Sequence, residues 1–233
     1  MIRPFFIICK IKKMKMKENL KPVLAEFIGT FFLVAVIVGS GIMAEKLSNG
    51  NDAIALLANT IATSAILFVI INSFSNISGA HFNPVVSMVF LLKNELNGKS
   101  FFFYVCMQVL GGLFAVVVIH YIFDLQILQI STNFRGEEKL FVSEVLATFG
   151  LLMTILFVGK THHKDVAIAV ALYIAAGYWF TSSTSFANPA VTLARVFSDT
   201  FTGIHPASVV YFIVGQIVGA VMALITFNKI HKS

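Results

Sequence analysis

The chain has 233 residues, 58% of them hydrophobic and 12% charged, with a mean hydropathy of +0.87 and a formal net charge of +6. A soluble domain is about 45–50% apolar and about 25% charged, and a globule of this size cannot hide so much apolar surface in one core. The composition excludes soluble enzymes, nucleic-acid binders and disordered chains, and it points to an integral membrane protein.

From the N-terminus, residues 1–21 carry seven of the seventeen Lys and Arg residues: Arg3, Lys10, Lys12, Lys13, Lys15, Lys17 and Lys21. A basic stretch beside a first span marks the cytoplasmic side, so this segment reads as a basic cytoplasmic extension. Nucleic-acid binding is the minor reading of so short a run, and no nucleic-acid partner is expected. Residues 1–13 are expected to be disordered, with Met14 or Met16 as an alternative start. Apolar runs follow at 22–43, 53–73, 101–123, 140–159, 166–184 and 207–228, each near the roughly 20 residues that a helical span needs. Polar connectors at 45–52, 124–139 and 160–165 separate them. Two further stretches, 83–93 and 188–198, are apolar and helix-like but too short to cross, the pattern of segments that re-enter a membrane. The predicted fold is an all-α membrane protein with six transmembrane helices and two re-entrant half-helices. Cys9 and Cys106 are the two cysteines and imply no disulfide framework.

With the N-terminus inside, thirteen Lys and Arg residues fall on cytoplasmic segments, among them Lys93, Lys99, Lys160, Lys164, Lys229 and Lys232. The outer loops hold three: Lys46, Arg135 and Lys139. That bias places both termini in the cytoplasm.

The chain also repeats itself. Glu26-Phe-Ile-Gly-Thr-Phe31 is echoed by Glu144-Val-Leu-Ala-Thr-Phe149, Asn83-Pro-Val-Val-Ser87 by Asn188-Pro-Ala-Val-Thr192, and Gln108-Val-Leu-Gly-Gly112 by Gln216-Ile-Val-Gly-Ala220. A single domain over 22–228 therefore divides into halves at about 22–124 and 140–228. Each half holds an odd number of spans, so the second is inserted upside down. Inverted repeats place a site at the bilayer midplane, where the halves meet.

Two of the five prolines, Pro84 and Pro189, follow an asparagine at the start of a half-span. Asparagine is a favoured N-cap, and proline suits the next position, where its missing N–H costs nothing. With their oxygens used as caps, Asn83 and Asn188 each keep an NH2 group for a polar solute, beside the partial positive charge of a helix N-terminus. The small polar segments leading in, Ser78-Gly-Ala-His-Phe82 and Thr181-Ser-Ser-Thr-Ser-Phe-Ala187, suit the lining of a watery cavity. Irregular backbone is tolerated at membrane depth only when buried or facing such a cavity.

These residues resemble the paired Asn-Pro-Ala boxes of the aquaporin (major intrinsic protein) family: Asn83-Pro84-Val85, with valine for the usual alanine, and Asn188-Pro189-Ala190. The resemblance covers about residues 20–228. It implies two half-helices meeting at the centre of six tilted helices, a pore within each protomer, and a homotetramer in the lipid bilayer. Counting from the boxes as the family does puts Thr63, Ala176, Ser185 and Val191 at the outer constriction. The aromatic, histidine and arginine usual in water-selective members are absent from these positions, which implies a wider filter without fixed charge. The pattern resembles a bacterial branch associated with arsenic resistance, which implies a bacterial inner-membrane location.

In the family, glutamates placed as Glu26 and Glu144 brace the half-helix loops, and their cost inside an apolar span argues for such a role here. Arg195, one turn beyond Val191, either faces the outer vestibule or pairs with Asp199, its i, i+4 neighbour. His81 either touches the pore or is satisfied by loop backbone. His162 and His163 read as solvated loop residues, and Gly111, Gly112, Gly215 and Gly219 as close helix contacts. No catalytic or metal-binding constellation is visible, and no cofactor is implied. The expectation is a passive channel for water and small uncharged solutes, glycerol-like molecules or neutral metalloid hydroxides such as arsenous acid. The alternatives are a strict water channel and a secondary transporter built on inverted repeats.

Overall fold

The computed structural model describes residues 5–135 and 138–231, with side chains from residue 20 onward. All regular structure among them is helical: α1 (Phe5–Leu47), α2 (Asp52–Ser78), α3 (Pro84–Leu92), α4 (Gly98–Ile122), α5 (Glu138–Thr161), α6 (Val166–Phe180), α7 (Pro189–Arg195) and α8 (Val209–His231). The expected disorder of residues 5–13 gives way to helix, since α1 runs back to Phe5; residues 1–4 lie outside the described part.

Local sequence sets several boundaries. Asn51 caps α2, its side chain accepting from the Ile54 amide, and Asn97 caps α4 through Ser100. Gly79 ends α2 with a φ of 85°, a left-handed conformation that glycine adopts without a Cβ penalty. Among the described residues, five helices are long and apolar enough to cross a membrane. The sixth, α6, is 15 residues, about 22 Å at 1.5 Å per residue. It stops at Phe180 instead of the expected 184, because the amides of Phe186 and Ala187 bond Glu144 in place of a helical ladder.

α1 packs on α2 and α4, and α5 on α6 and α8; α2 against α6 joins the two sets. The short α3 and α7 sit inside, α3 against α4 and α8, α7 against α4, α8 and α1. Large apolar side chains such as Phe32, Ile61, Phe102, Phe114 and Trp179 point outward, as lipid requires. Glycines allow the closest crossings. Gly111 on α4 lies against the Phe27 carbonyl, and Gly219 on α8 against the Val145 carbonyl. A Cβ at Gly219 would also stand 2.9 Å from Phe149 N and 3.1 Å from Thr148 Cβ. Backbone cannot step aside as a side chain can, so Gly219→Ala should destabilise by about 1–3 kcal/mol through overpacking and Gly219→Val by more. Thermal unfolding of the purified chain in detergent measures this; equal melting of Gly219→Val and the parent would refute close α5–α8 packing.

Candidate functional site

Two loops enter the helical bundle from opposite ends and meet at Asn83 and Asn188. Each asparagine caps its own half-helix: Asn83 Oδ1 accepts from Val85 N at 3.1 Å, and Asn188 Oδ1 from Ala190 N at 3.0 Å and Val191 N at 3.3 Å. Each amide nitrogen then reaches across. Asn83 Nδ2 donates to the Ala187 carbonyl at 2.7 Å, and Asn188 Nδ2 to the Phe82 carbonyl at 2.8 Å. An NH2 group has two hydrogens, so one per asparagine remains for a solute. Sequence reasoning left both free and missed the reciprocal clasp, which no local pattern could show.

A buried carboxylate holds each loop. Glu26 on α1 accepts from Ser78 Oγ, His81 N, Phe82 N and Gln108 Nε2 at 2.6–3.0 Å. Glu144 on α5 accepts from Phe186 N, Ala187 N and Gln216 Nε2 at 2.6–3.0 Å. The glutamines continue inward, Gln108 Nε2 to Ser87 Oγ at 3.0 Å and Gln216 Nε2 to Thr192 Oγ1 at 2.9 Å. Each element of the sequence repeat thus meets its partner within its own half. The loops also contain non-glycine residues at positive φ, including Ala80 (52°), Phe82 (50°), Ser185 (51°) and Ala187 (47°). Such conformations persist where the surroundings over-determine them, and here the carboxylates fix the flanking amides.

A cavity of about 640 Å³ passes the two asparagines. Lys93, Glu95, Lys160 and His163 stand at one end, Thr63, Tyr178, Ser185 and Arg195 at the other. Between them the wall is largely apolar, with Leu33, Ile37, Leu67, Val86, Ile174 and Val191 on it. His81 lines the cavity as well, its Nδ1 3.0 Å from Ser87 Oγ and its ring 4.7 Å from that of Phe90.

Of the four residues counted to the outer constriction, Thr63, Ser185 and Val191 line this cavity and Ala176 does not. Ala176 is exposed on the outer face of α6. The next residue, Gly177, is the one whose Cα faces Ser185: a Cβ there would lie 2.7 Å from Ser185 Oγ. Tyr178 follows it into the cavity and donates its hydroxyl to Thr63 Oγ1 at 3.1 Å. The family's offset from Asn188 thus falls one residue before the position that faces Ser185 in this chain, across the non-helical stretch 181–187. Nor is this mouth free of charge. Arg195 is 3% exposed, lines the cavity, bonds the Thr202 carbonyl through Nε, and sits with its guanidinium carbon 3.4 Å from the centroid of the Phe186 ring. It does not pair with Asp199, whose carboxylate accepts from Thr132 N and Oγ1. Arg135, predicted as an ordinary loop residue, also approaches Phe186, at 5.4 Å. No periodicity marks it, because the connector that carries it is fixed by long-range bonds to 196–208.

The chain matches the major intrinsic protein family over residues 13–164 and 157–233. It belongs to that family. Among its relatives is the aquaglyceroporin AqpS of Rhizobium meliloti (strain 1021), 49% identical over 200 residues that cover 86% of this chain and 85% of the relative. Aquaporin TIP2-3 of Arabidopsis thaliana is 26% identical over 222 residues, 91% of this chain and 88% of the relative. The X-ray structure of the aquaglyceroporin from Plasmodium falciparum superposes with a TM-score of 0.73 at 23% identity, covering 91% of this chain and 96% of that one. This major intrinsic protein thus shares the fold of a solved channel-family member.

Proposed function

We propose that this protein is a passive channel for water and small uncharged solutes, with glycerol-like molecules and neutral metalloid hydroxides such as arsenous acid among its permeants. The observation that carries the reading is the cavity itself: an apolar tube crossed at its middle by one free N–H from each of Asn83 and Asn188. A neutral polyol can trade water contacts for those donors and for loop carbonyls, while its carbon side slides on Val86, Ile174 and Val191. An ion finds too few replacements for its hydration shell, and the two helix N-termini oppose cations. Thr63, Gly177, Tyr178, Ser185, Val191 and Arg195 are the residues proposed to sort solutes. The name aquaglyceroporin borne by the 49% identical relative supports glycerol as a permeant. The Lys and Arg bias supports cytoplasmic termini, the resemblance to a bacterial branch and the bacterial source of that relative support a location in a bacterial inner membrane, and the family resemblance supports a homotetramer.

Proteoliposome swelling and uptake assays with water, glycerol and arsenous acid, run side by side, test this. All three are expected to exceed empty vesicles without any ion gradient. Water flux alone would reduce the protein to a strict water channel, and a requirement for an ion gradient would make it a transporter.

A further inference from the structure

The cavity mouth at Arg195 holds more positive charge than its surroundings neutralise. Arg195 and Arg135 both approach the Phe186 ring, at 3.4 and 5.4 Å from its centroid, and among the described residues neither meets a carboxylate. The ion pair of Lys93 Nζ with Glu95 Oε1, at 2.8 Å, belongs to the opposite mouth. The acids near this one are otherwise engaged: Asp199 accepts from Thr132, Glu45 from the Phe201 amide, and Glu144, the one buried carboxylate whose field reaches both guanidiniums, from Phe186 N, Ala187 N and Gln216, so that a single acid faces two arginines. Arg135 gives Nε to the Gly203 carbonyl and Nη2 to that of Phe201. Arg195 gives Nε to Thr202. With its face on Phe186 and its Nε on Thr202, the Arg195 guanidinium keeps its Nη donors at the cavity wall. Ser185 lines the same cavity, and its Oγ is buried without a hydrogen-bond partner.

Buried charges are ordinarily paired, and a guanidinium edge matches two oxygens of one oxyanion. We propose that this mouth binds a small monovalent oxyanion, a carboxylate or the conjugate base of a weak oxyacid, held by the Nη groups of Arg195 and by Ser185 Oγ, with Arg135 adding positive potential. The site rests on the reading of the cavity as a solute pathway, because an anion reaches Arg195 through its mouth. A weak acid would then enter the pore neutral, while its anion occupies the mouth and slows other solutes.

Formate is the probe. Line broadening of 13C-formate by the full chain in detergent, with formate fully ionised at about pH 7.5, should be saturable. Loss of the bidentate fork in Arg195→Gln should weaken binding by about tenfold or more. Ser185→Ala should weaken it by a few-fold, as loss of one hydrogen bond does. Ser185→Ala removes an unpartnered hydroxyl and no bond of the fold, so it decides the matter if Arg195→Gln is not recovered folded. In proteoliposomes, formate should slow glycerol swelling with the same midpoint, and chloride at equal ionic strength should not. Undiminished binding in folded Arg195→Gln, undiminished binding in Ser185→Ala, or equal inhibition by chloride would each overturn the proposal. Formate binding without any glycerol flux would instead overturn the channel reading and leave the site standing.

Discussion

Glu144→Ala should leave no correctly folded channel. Its carboxylate is fully buried and takes three donors: Phe186 N, Ala187 N and Gln216 Nε2. Alanine orphans all three at membrane depth, where no bulk water replaces the acceptor. Each orphaned buried donor costs about 1–3 kcal/mol, so three together approach the ~5–15 kcal/mol by which a whole protein is stable. The loss falls on the loop that positions Asn188, which makes the damage functional as well as structural. Glu144→Gln is the sharper variant. It keeps the shape, but its NH2 must face either the Phe186 amide or the Ala187 amide and Gln216, donor against donor. It should fold with a lower melting temperature and conduct poorly. Glu26→Gln, with four donors around its carboxylate, should behave alike. Thermal unfolding in detergent and proteoliposome swelling measure the two effects. Parent-like melting and flux in Glu144→Ala would show that the second loop needs no internal acceptor.

Val191→Arg should change selectivity more than any other single substitution at the constriction. Val191 is 2% exposed and lines the cavity on α7, between Asn188 and Arg195. Guanidinium is planar, always charged and carries five donors. It would narrow the tube and hold a water where a solute's carbon face now slides on a methyl. Glycerol loses to sterics and to desolvation, and an added barrier of about 1.4 kcal/mol already lowers its flux tenfold. Water is smaller and accepts the new donors, so the ratio of water to glycerol permeability rises while total flux falls. Arg195, one turn further out, repels the newcomer and pushes it toward the Asn83–Asn188 clasp. Arg195→Ala is the control. An unchanged ratio in Val191→Arg beside a collapsed ratio in Arg195→Ala would move the sorting step outward to Arg195.

Much of the architecture is legible in the residues because membranes impose a strict code. Backbone polar groups must be satisfied within each span, so apolar runs of the right length become helices, and among the described residues α2 to α8 lie within a few residues of the runs and stretches that composition marks, while α1 runs back through the basic segment to Phe5. The Asn-Pro pairs announce two half-helix starts by the chemistry of capping alone. The failures fall where the chain leaves the helix. Residues 181–187 follow no period that fixes the register of α6, so the offset taken from the family landed on Ala176, exposed on the outer face of α6, beside Gly177 and Tyr178, which face Ser185 and Thr63. The connector carrying Arg135 has no repeating pattern either; its course is set by hydrogen bonds some seventy residues away in the chain.

By itself, then, the sequence determined an all-helical membrane fold, a repeat of matched Glu, Asn-Pro and Gln elements, and the location of two half-helix starts, because each is written in local composition or in recurrence. Tertiary structure alone decided that each asparagine spends one N–H on the opposite loop, that Tyr178 reaches Thr63, and that Arg195 and Arg135 gather on Phe186 instead of pairing with acids. Those contacts join residues distant along the chain, and non-helical backbone aims their side chains, so they come into being only when the two halves close around the cavity.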